Sequence, residues 1–137
     1  MSINNEQRQL IRERANQCCE YCRIAQENLF SKFQIDHIIP LKHGGLDELD
    51  NLCLACLLGS NGYKGPNVAA LDPDTGEATK LYDPRQQTWD EYFLINSDGV
   101  LKGLTPEGRT TINVLRINDK KRVKQRWILI LAGDYPC

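Results

Sequence analysis

The chain has 137 residues, of which 41% are hydrophobic and 26% are charged, and its formal net charge is −1. This balance is typical of a globular domain with an adequate core, and it excludes a disordered chain. The apolar run WILILA is too short to span a bilayer, and the N-terminal MSINNEQRQL lacks the apolar core of a signal peptide. We therefore expect a cytoplasmic protein that does not associate with membranes.

The first half of the chain predicts a helix followed by two short strands. NNEQRQLIRERANQ has Leu10 and Ile11 on one side and favours a helix. FSKFQIDHIIP favours a strand that stops at Pro40, and LCLAC favours its partner strand. Between them, KHGGLDELDN is a turn-rich loop. LLGSNGYKGPN then predicts a tight turn with at most a short helix.

The second half predicts short strands and two helices. Asp-Pro and Asp-Gly turn signals separate apolar runs, which predict strands near 78–82, 89–95 and 99–103. Thr105 as N-cap and Pro106 after it predict a helix that runs to about Ile117.

The last helix is expected from about Asp119 to Ala132, before Gly133. Its apolar residues recur at helical spacing and predict one buried face, formed by Val123, Trp127, Ile130 and Leu131. The expected class is α+β. Residues 1–65 would form a core that carries the site, and residues 66–137 a C-terminal extension packed on it as one compact unit.

The cysteines are more informative than the overall composition. A reducing cytosol disfavours a disulfide framework and favours metal ligands. Two pairs of cysteines have the C-x-x-C spacing that is common in zinc sites. The six positions are Cys18, Cys19, Cys22, Cys53, Cys56 and Cys137.

Charge is unevenly distributed along the chain. Residues 102–126 hold eight basic and two acidic residues, whereas residues 44–100 hold ten acidic and three basic residues. The basic segment could face the phosphates of a nucleic acid. The alternative is an ordinary solvated helix face.

Polar residues suited to phosphodiester hydrolysis cluster between residues 36 and 64. Such a reaction needs a base that activates water and a divalent cation that holds the phosphate. His37 suits the base, and the oxygens of Asp36 and Asn61 suit Mg²⁺ or Mn²⁺. Successive strand residues point to opposite faces, so Asp36 and His37 reach one phosphate only where the strand is distorted or pairs closely with another element.

The order and spacing of these residues resemble the HNH family of endonucleases. Its ββα-metal motif reads Asp-His-Ile-x-Pro, Asp-Asn-Leu and Asn-x-x-Lys. The corresponding residues here are Asp36 to Pro40, Asp50 to Leu52 and Asn61 to Lys64. The resemblance implies a ββα-metal (HNH) core with an N-terminal helix and a C-terminal extension of short strands and two helices. Residues 66–137 also resemble the extension of one bacterial branch of the family.

The resemblance implies a role for each motif residue. His37 would be the general base, and Asp36 and Asn61 would hold the catalytic Mg²⁺ or Mn²⁺. Asn51 would tether the loop between the strands and orient the base, and Lys64 would lie near the phosphate backbone. His43 receives no role.

Many members of this family also bind a structural zinc through two cysteine pairs, and this sequence departs from that pattern. One extra residue separates Cys56 from Asn61, and Ser60 stands where the fourth cysteine is expected. The expected zinc ligands are Cys19, Cys22 and Cys56, with Cys53 as an alternative fourth ligand. In a regular strand, however, Cys53 and Cys56 face opposite ways. The other interpretation is a buried apolar cluster of thiols.

Three functions are compatible with these motifs. The first is a metal-dependent endonuclease that hydrolyses DNA phosphodiester bonds. The alternative is a catalytically weakened DNA-binding or assembly module with the same fold, and the third is a zinc-only structural protein. The expected partner is DNA, and the residues expected to contact it are Lys64, Arg109, Lys120, Lys121, Arg122 and Lys124.

Overall fold

A computed structural model describes residues 3–56 and 62–137 of the chain. Within these ranges the helices are α1 (Asn5–Arg14), α2 (Gly62–Lys64), α3 (Trp89–Tyr92), α4 (Pro106–Val114) and α5 (Lys120–Leu131). The strands are β1 (Gln34–His37), β2 (Leu52–Ala55), β3 (Ala69–Leu71), β4 (Ala78–Lys80), β5 (Phe93–Ile95) and β6 (Leu101–Gly103). This arrangement confirms the expected α+β class. No helix in these ranges is both long and apolar enough to cross a membrane.

Three two-stranded antiparallel sheets follow one another along the described part of the chain. They pair β1 with β2, β3 with β4, and β5 with β6. Each sheet joins strands that are neighbours in sequence, with short loops in the β3–β4 and β5–β6 pairs and a longer loop, residues 38–51, between β1 and β2.

The predicted helices begin at the residues that cap them. At α1 the Asn4 side chain accepts from the Gln7 N–H, and the Gln7 side chain accepts from the Asn4 N–H. At α4 the Thr105 hydroxyl accepts from the Gly108 N–H, and Pro106 begins the helix. Both helix starts therefore follow from local sequence.

One hydrophobic cluster draws on both halves of the chain. Its fully buried members include Tyr21, Phe33, Leu54, Phe93, Leu101, Leu115 and Ile117. Trp89 connects the halves directly, because its indole N–H donates to the Tyr21 carbonyl at 2.8 Å. The residues after position 66 thus pack against the segment that carries the cysteines.

The region predicted as a strand over 89–95 is half helix. Trp89–Tyr92 forms α3, and only Phe93–Ile95 forms a strand. Trp89 is 5% exposed, and the bond from its indole to Tyr21 is a tertiary contact that short-range sequence does not encode. β3 was also not predicted, and it is paired with β4 from Ala69↔Lys80 to Leu71↔Ala78.

The predicted helix α5 is present, but its expected buried face is wrong. Trp127 is 44% exposed and Leu131 is 70% exposed, whereas Arg126 is 2% exposed. The Arg126 guanidinium donates to the Gly99 carbonyl at 2.7 Å and to Asn118 Oδ1 at 3.1 Å. The apolar spacing assigned the buried position to Trp127. Arg126 occupies that position instead, because polar acceptors satisfy its guanidinium group.

The C-terminal residues hold the cysteine-bearing turn in three ways. Cys137 forms a disulfide with Cys18, although a disulfide framework was not expected from the sequence. The Cys137 N–H donates to the Arg23 carbonyl at 3.0 Å, and the Tyr135 hydroxyl donates to the Cys22 carbonyl at 2.6 Å. The disulfide spans 119 residues and so connects the two ends of the sequence.

Gly99 allows its turn to lie against α5, and replacing it with alanine should destabilise the fold. Its φ is +92°, and a Cβ there would meet the Val123 carbonyl oxygen and lie 2.8 Å from the Trp127 nitrogen. Gly76 has a φ of +73°, but a Cβ there would extend into open space. Both Gly→Ala substitutions carry the backbone cost of a positive φ, and only Gly99→Ala adds overpacking, which costs roughly 1–3 kcal/mol. We therefore expect the free energy of unfolding, measured with urea, to fall by that additional amount in Gly99→Ala relative to Gly76→Ala. Equal losses in the two variants would contradict the assigned packing.

Candidate active site and metal-binding cysteines

The β1–β2 pairing decides which polar side chains lie together. Asp36 is paired with Cys53, and His37 is paired with Leu52. Because successive strand residues point to opposite faces, Asp36 shares a face with Cys53 and His37 lies on the other side. The two motif residues are therefore adjacent in sequence but contact different groups.

His37 is held by an acidic residue of the loop that joins β1 and β2. Its Nε2 lies 2.6 Å from Asp47 Oδ1, and both side chains are largely shielded from solvent. A carboxylate can only accept, so this contact favours the tautomer with the proton on Nε2. In that tautomer Nδ1 carries the lone pair that a general base needs.

Asp47 was not identified from the sequence. The sequence did contain a signal for it, because the loop leaves β1 at His37 and enters β2 at Leu52, the residue paired with His37. An acidic residue in the returning part of this loop can reach back to the histidine. The loop also contains Glu48 and Asp50, so the signal alone does not select Asp47.

Asp36 faces the buried ammonium group of Lys64. Lys64 is 1% exposed, and its Nζ lies 3.8 Å from Asp36 Oδ2 and donates to the His37 carbonyl at 3.2 Å. Burial raises the pKa of Asp36, and the Lys64 charge offsets part of that rise. The lysine thus connects α2 to both motif residues of β1.

The Asp36 carboxylate suits a hard divalent cation. Its Oδ2 atom is buried and accepts no hydrogen bond from residues 3–56 or 62–137. An orphaned carboxylate oxygen is a ligand of the type that Mg²⁺ and Mn²⁺ prefer. Asn61, the other expected ligand, lies outside the described residues.

Asn51 closes the loop between the strands. Its Nδ2 donates to the carbonyls of Ile39 and Leu46, and its Oδ1 accepts from the Ile39 N–H, each at 2.9 Å. A Cβ on Gly45 would lie 2.9 Å from Asn51 Nδ2 and would collide with the Ile39 carbonyl. Glycine at position 45 therefore allows the loop to pack against its first residues, next to the Ile39 carbonyl.

Three of the predicted metal ligands converge. The Sγ atoms of Cys19, Cys22 and Cys56 all lie within 4.8 Å of one another, and those of Cys22 and Cys56 are 3.8 Å apart. A tetrahedral site with Zn–S bonds of about 2.3 Å places its sulfur atoms about 3.8 Å apart. The three thiols therefore fit three corners of such a site. No further histidine, cysteine or carboxylate joins them among the residues with described positions, and Ser60 lies outside those residues.

Cys53 is not part of this group. Its thiol contacts the Tyr21 hydroxyl at 3.7 Å, and burial raises its pKa to about 12. Since β2 is a regular strand, Cys53 and Cys56 face different sides of it. Within the described structure, the alternative fourth ligand is therefore directed away from the cluster.

Arg122 of α5 reaches the cysteine cluster. Its guanidinium donates to Cys56 Sγ at 3.8 Å and to the Leu115 carbonyl at 2.6 Å. Burial lowers the pKa of Arg122, but the three nearby thiols outweigh this effect, and its pKa is raised overall. This arginine is directed towards the protein interior.

The other basic residues predicted to contact DNA are placed differently from one another. Arg109 is paired with Asp72 at 2.7 Å and with Asp74 at 3.1 Å. The exposed lysines on α5 are Lys120, Lys121 and Lys124. They are the members of the predicted set whose charge is available at the surface.

Comparison with known proteins identifies a family that this segment of the chain matches. Residues 19–58 match the family model described as HNH endonuclease, which confirms the resemblance seen in the motifs. The matched segment contains the β1–β2 hairpin, Asn51 and the three clustered cysteines. No curated protein matched the chain.

Proposed function

We propose that this protein, whose residues 19–58 belong to the HNH endonuclease family, is a metal-dependent endonuclease that hydrolyses DNA phosphodiester bonds. The observation that carries the proposal is the His37–Asp47 contact on one face of β1, together with a buried Asp36 carboxylate oxygen on the other face that accepts no hydrogen bond from the described residues. A base with its partner and an unused oxygen ligand are the two components that hydrolysis of a phosphodiester requires.

His37 acts as the general base of the proposed reaction. Asp47 fixes the ring and holds the proton on Nε2, so Nδ1 can take a proton from the attacking water. Asp47 also stabilises the imidazolium that this transfer produces, since a carboxylate favours the charged form. Asn51 keeps the loop that carries Asp47 closed against β1.

Asp36 and Lys64 supply the electrostatic part of the proposed site. Asp36, together with Asn61, would hold a Mg²⁺ or Mn²⁺ ion, which supplies positive charge to the phosphate and the leaving oxygen. Lys64 is anchored on the His37 carbonyl, and its charge offsets part of the rise that burial causes in the pKa of Asp36. Because Lys64 is buried, its positive charge acts on the Asp36 carboxylate and not directly on the DNA.

Replacing His37 with alanine should remove the activity. Loss of a general base typically lowers the rate about 100-fold or more, so we expect His37→Ala to leave only background nicking. The measurement is the rate of supercoiled plasmid nicking by purified protein with Mg²⁺ or Mn²⁺.

The chain offers a matched control in its second histidine. His43 is exposed on the same loop, and we place it outside the site, so His43→Ala should nick at the wild-type rate. Equal nicking by wild type and His37→Ala would reject the nuclease proposal.

We also propose that the cysteine cluster holds a structural zinc ion. Its support is the convergence of three buried thiols at zinc-like spacing, next to the positive charge of Arg122. Thiolates are the preferred ligands of structural zinc, and a buried cation beside them favours their ionised form.

Removing Cys56 should therefore abolish zinc binding, whereas removing Cys53 should not. Both cysteines are buried in or directly after β2, but only Cys56 belongs to the cluster. We expect equimolar zinc in wild type and Cys53→Ala by elemental analysis, and a loss to background in Cys56→Ala. Zinc below equimolar amounts in folded wild-type protein would contradict the proposal.

A DNA-binding module without turnover is the second candidate function, and the exposed lysines of α5 favour it. Arg116, just before α5, lies 4.7 Å from the ring of Tyr63 in α2. The part of the chain that leads into α5 therefore lies beside the helix that carries Lys64. This position allows α5 to contribute to DNA binding whether or not the site turns over.

Reversing the three lysines should weaken binding and flatten its salt dependence. Each phosphate contact contributes about 0.9 to the slope of log affinity against log salt, so a triple Lys→Glu reversal should lower that slope by about 2–3. The reversed residues are Lys120, Lys121 and Lys124. Fluorescence anisotropy with duplex DNA measures both quantities.

The control reverses three exposed lysines that lie on other elements, namely Lys32, Lys80 and Lys102. An equal effect of both triple variants would show that net charge, and not α5, sets the affinity. Weakened binding by the α5 variant, with nicking insensitive to His37→Ala, would favour the binding module.

A further inference from the structure

A cavity of about 230 Å³ lies on the far side of β2 from β1. It is bordered by the end of α1, the turn that carries Cys19 and the segment from Tyr82 to Trp89. The carbonyls of Leu52 and Leu54 on that edge of β2 bind the Arg14 side chain and the Glu20 N–H. The cavity is therefore separate from the His37 side of the hairpin.

Positive charge predominates in this cavity. Three arginines and one carboxylate line it among the described residues, namely Arg14, Arg23, Arg85 and Glu20. Both oxygens of Glu20 are already used, because Oε2 accepts from the Leu54 N–H at 2.6 Å and Oε1 is paired with Arg85. Burial, followed by the nearby charge of Arg14, lowers the pKa of Arg85 to about 10.

The three guanidinium groups also have unused hydrogen-bond donors. The Nε atoms of Arg14, Arg23 and Arg85 are buried, and none donates to a residue that the structure describes. Buried donors are nearly always satisfied in folded proteins, so these three need acceptors, and the cavity that their residues line has room for them. A water molecule occupies about 30 Å³, so the cavity can hold an anion with several oxygens.

The geometry suits a phosphate group better than a carboxylate. Guanidinium groups bind phosphate oxygens in pairs, and several arginines can share the oxygens of one phosphate. Arg23 is already oriented, because its Cζ lies 5.2 Å from the Trp89 ring centroid. An oriented guanidinium loses little conformational entropy when it binds an anion.

We propose that this arginine pocket binds a phosphate group, supplied either by free phosphate or by a phosphodiester of bound DNA. The DNA source rests on the proposed function, whereas the free-phosphate source does not. Either source would supply acceptors for the orphaned Nε atoms and balance the excess positive charge.

Titration calorimetry with inorganic phosphate at constant ionic strength tests the pocket directly. We expect saturable binding by wild type and an affinity about tenfold or more lower in Arg23→Gln, the range for losing a charged hydrogen bond. Arg23→Lys keeps the charge but not the paired donors, so its affinity should be intermediate. Far-UV circular dichroism establishes that each variant retains its fold, and should Arg23→Gln not fold, the Arg23→Lys result decides.

Arg116→Gln provides the matched control. Arg116 has a φ of +51°, close to the +63° of Arg23, and its guanidinium also stacks on an aromatic ring. It does not line the arginine pocket. Phosphate affinity should be unchanged in Arg116→Gln, and an equal loss in both variants would overturn the proposal.

A second measurement distinguishes the two sources of phosphate. If DNA supplies the phosphate, inorganic phosphate competes with duplex DNA in anisotropy, and Arg23→Gln weakens DNA binding. If free phosphate is the ligand, Arg23→Gln loses phosphate binding while its DNA affinity stays at the wild-type value. Absence of saturable phosphate binding by wild type overturns the proposal, and neither outcome depends on plasmid nicking.

Discussion

The pairing of β1 with β2 constrains both candidate sites at once. In the observed register Asp36 is opposite Cys53 and His37 is opposite Leu52. A shift of one residue would move every side chain of a strand to the other face. Asp36 would then lose the face it shares with Lys64, and His37 would turn away from Asp47. The loop that carries Asp47 is fixed by Asn51 and so preserves this register.

The elements that could be predicted from sequence are those with local signals. The cap at Asn4, the Thr105–Pro106 helix start and the two apolar strand runs each act within a few residues. The sequence predictions are wrong where a contact with a residue distant in the sequence determines the local structure. Trp89 lies in a helix and contacts Tyr21, and Arg126 is buried because Gly99 and Asn118 accept from it. Hydrophobic periodicity contains no information about such acceptors.

The same distinction applies to the site. The motif order predicted Asp36, His37 and Asn51 by resemblance, and the contacts of Asn51 are those of a residue that tethers the loop. Asp47 could not be selected, because three acidic residues share the loop and only the folded geometry distinguishes them. The inward direction of Arg122 was also not predictable, since its neighbours Lys120, Lys121 and Lys124 are exposed. A run of basic residues gives no indication of which charge is buried.

Arg122 also bears on the missing fourth cysteine. A site with four thiolates around Zn²⁺ carries two negative charges, whereas the three clustered thiolates would leave one. The guanidinium of Arg122 contacts Cys56 and supplies one positive charge, so the proposed zinc site would be neutral. A buried arginine without an anionic partner is unfavourable, and the thiolates of the proposed zinc site would provide that partner. Arg122 lies near the start of α5 and also donates to the Leu115 carbonyl. Through this one residue, the proposed metal and the start of α5 would stabilise each other.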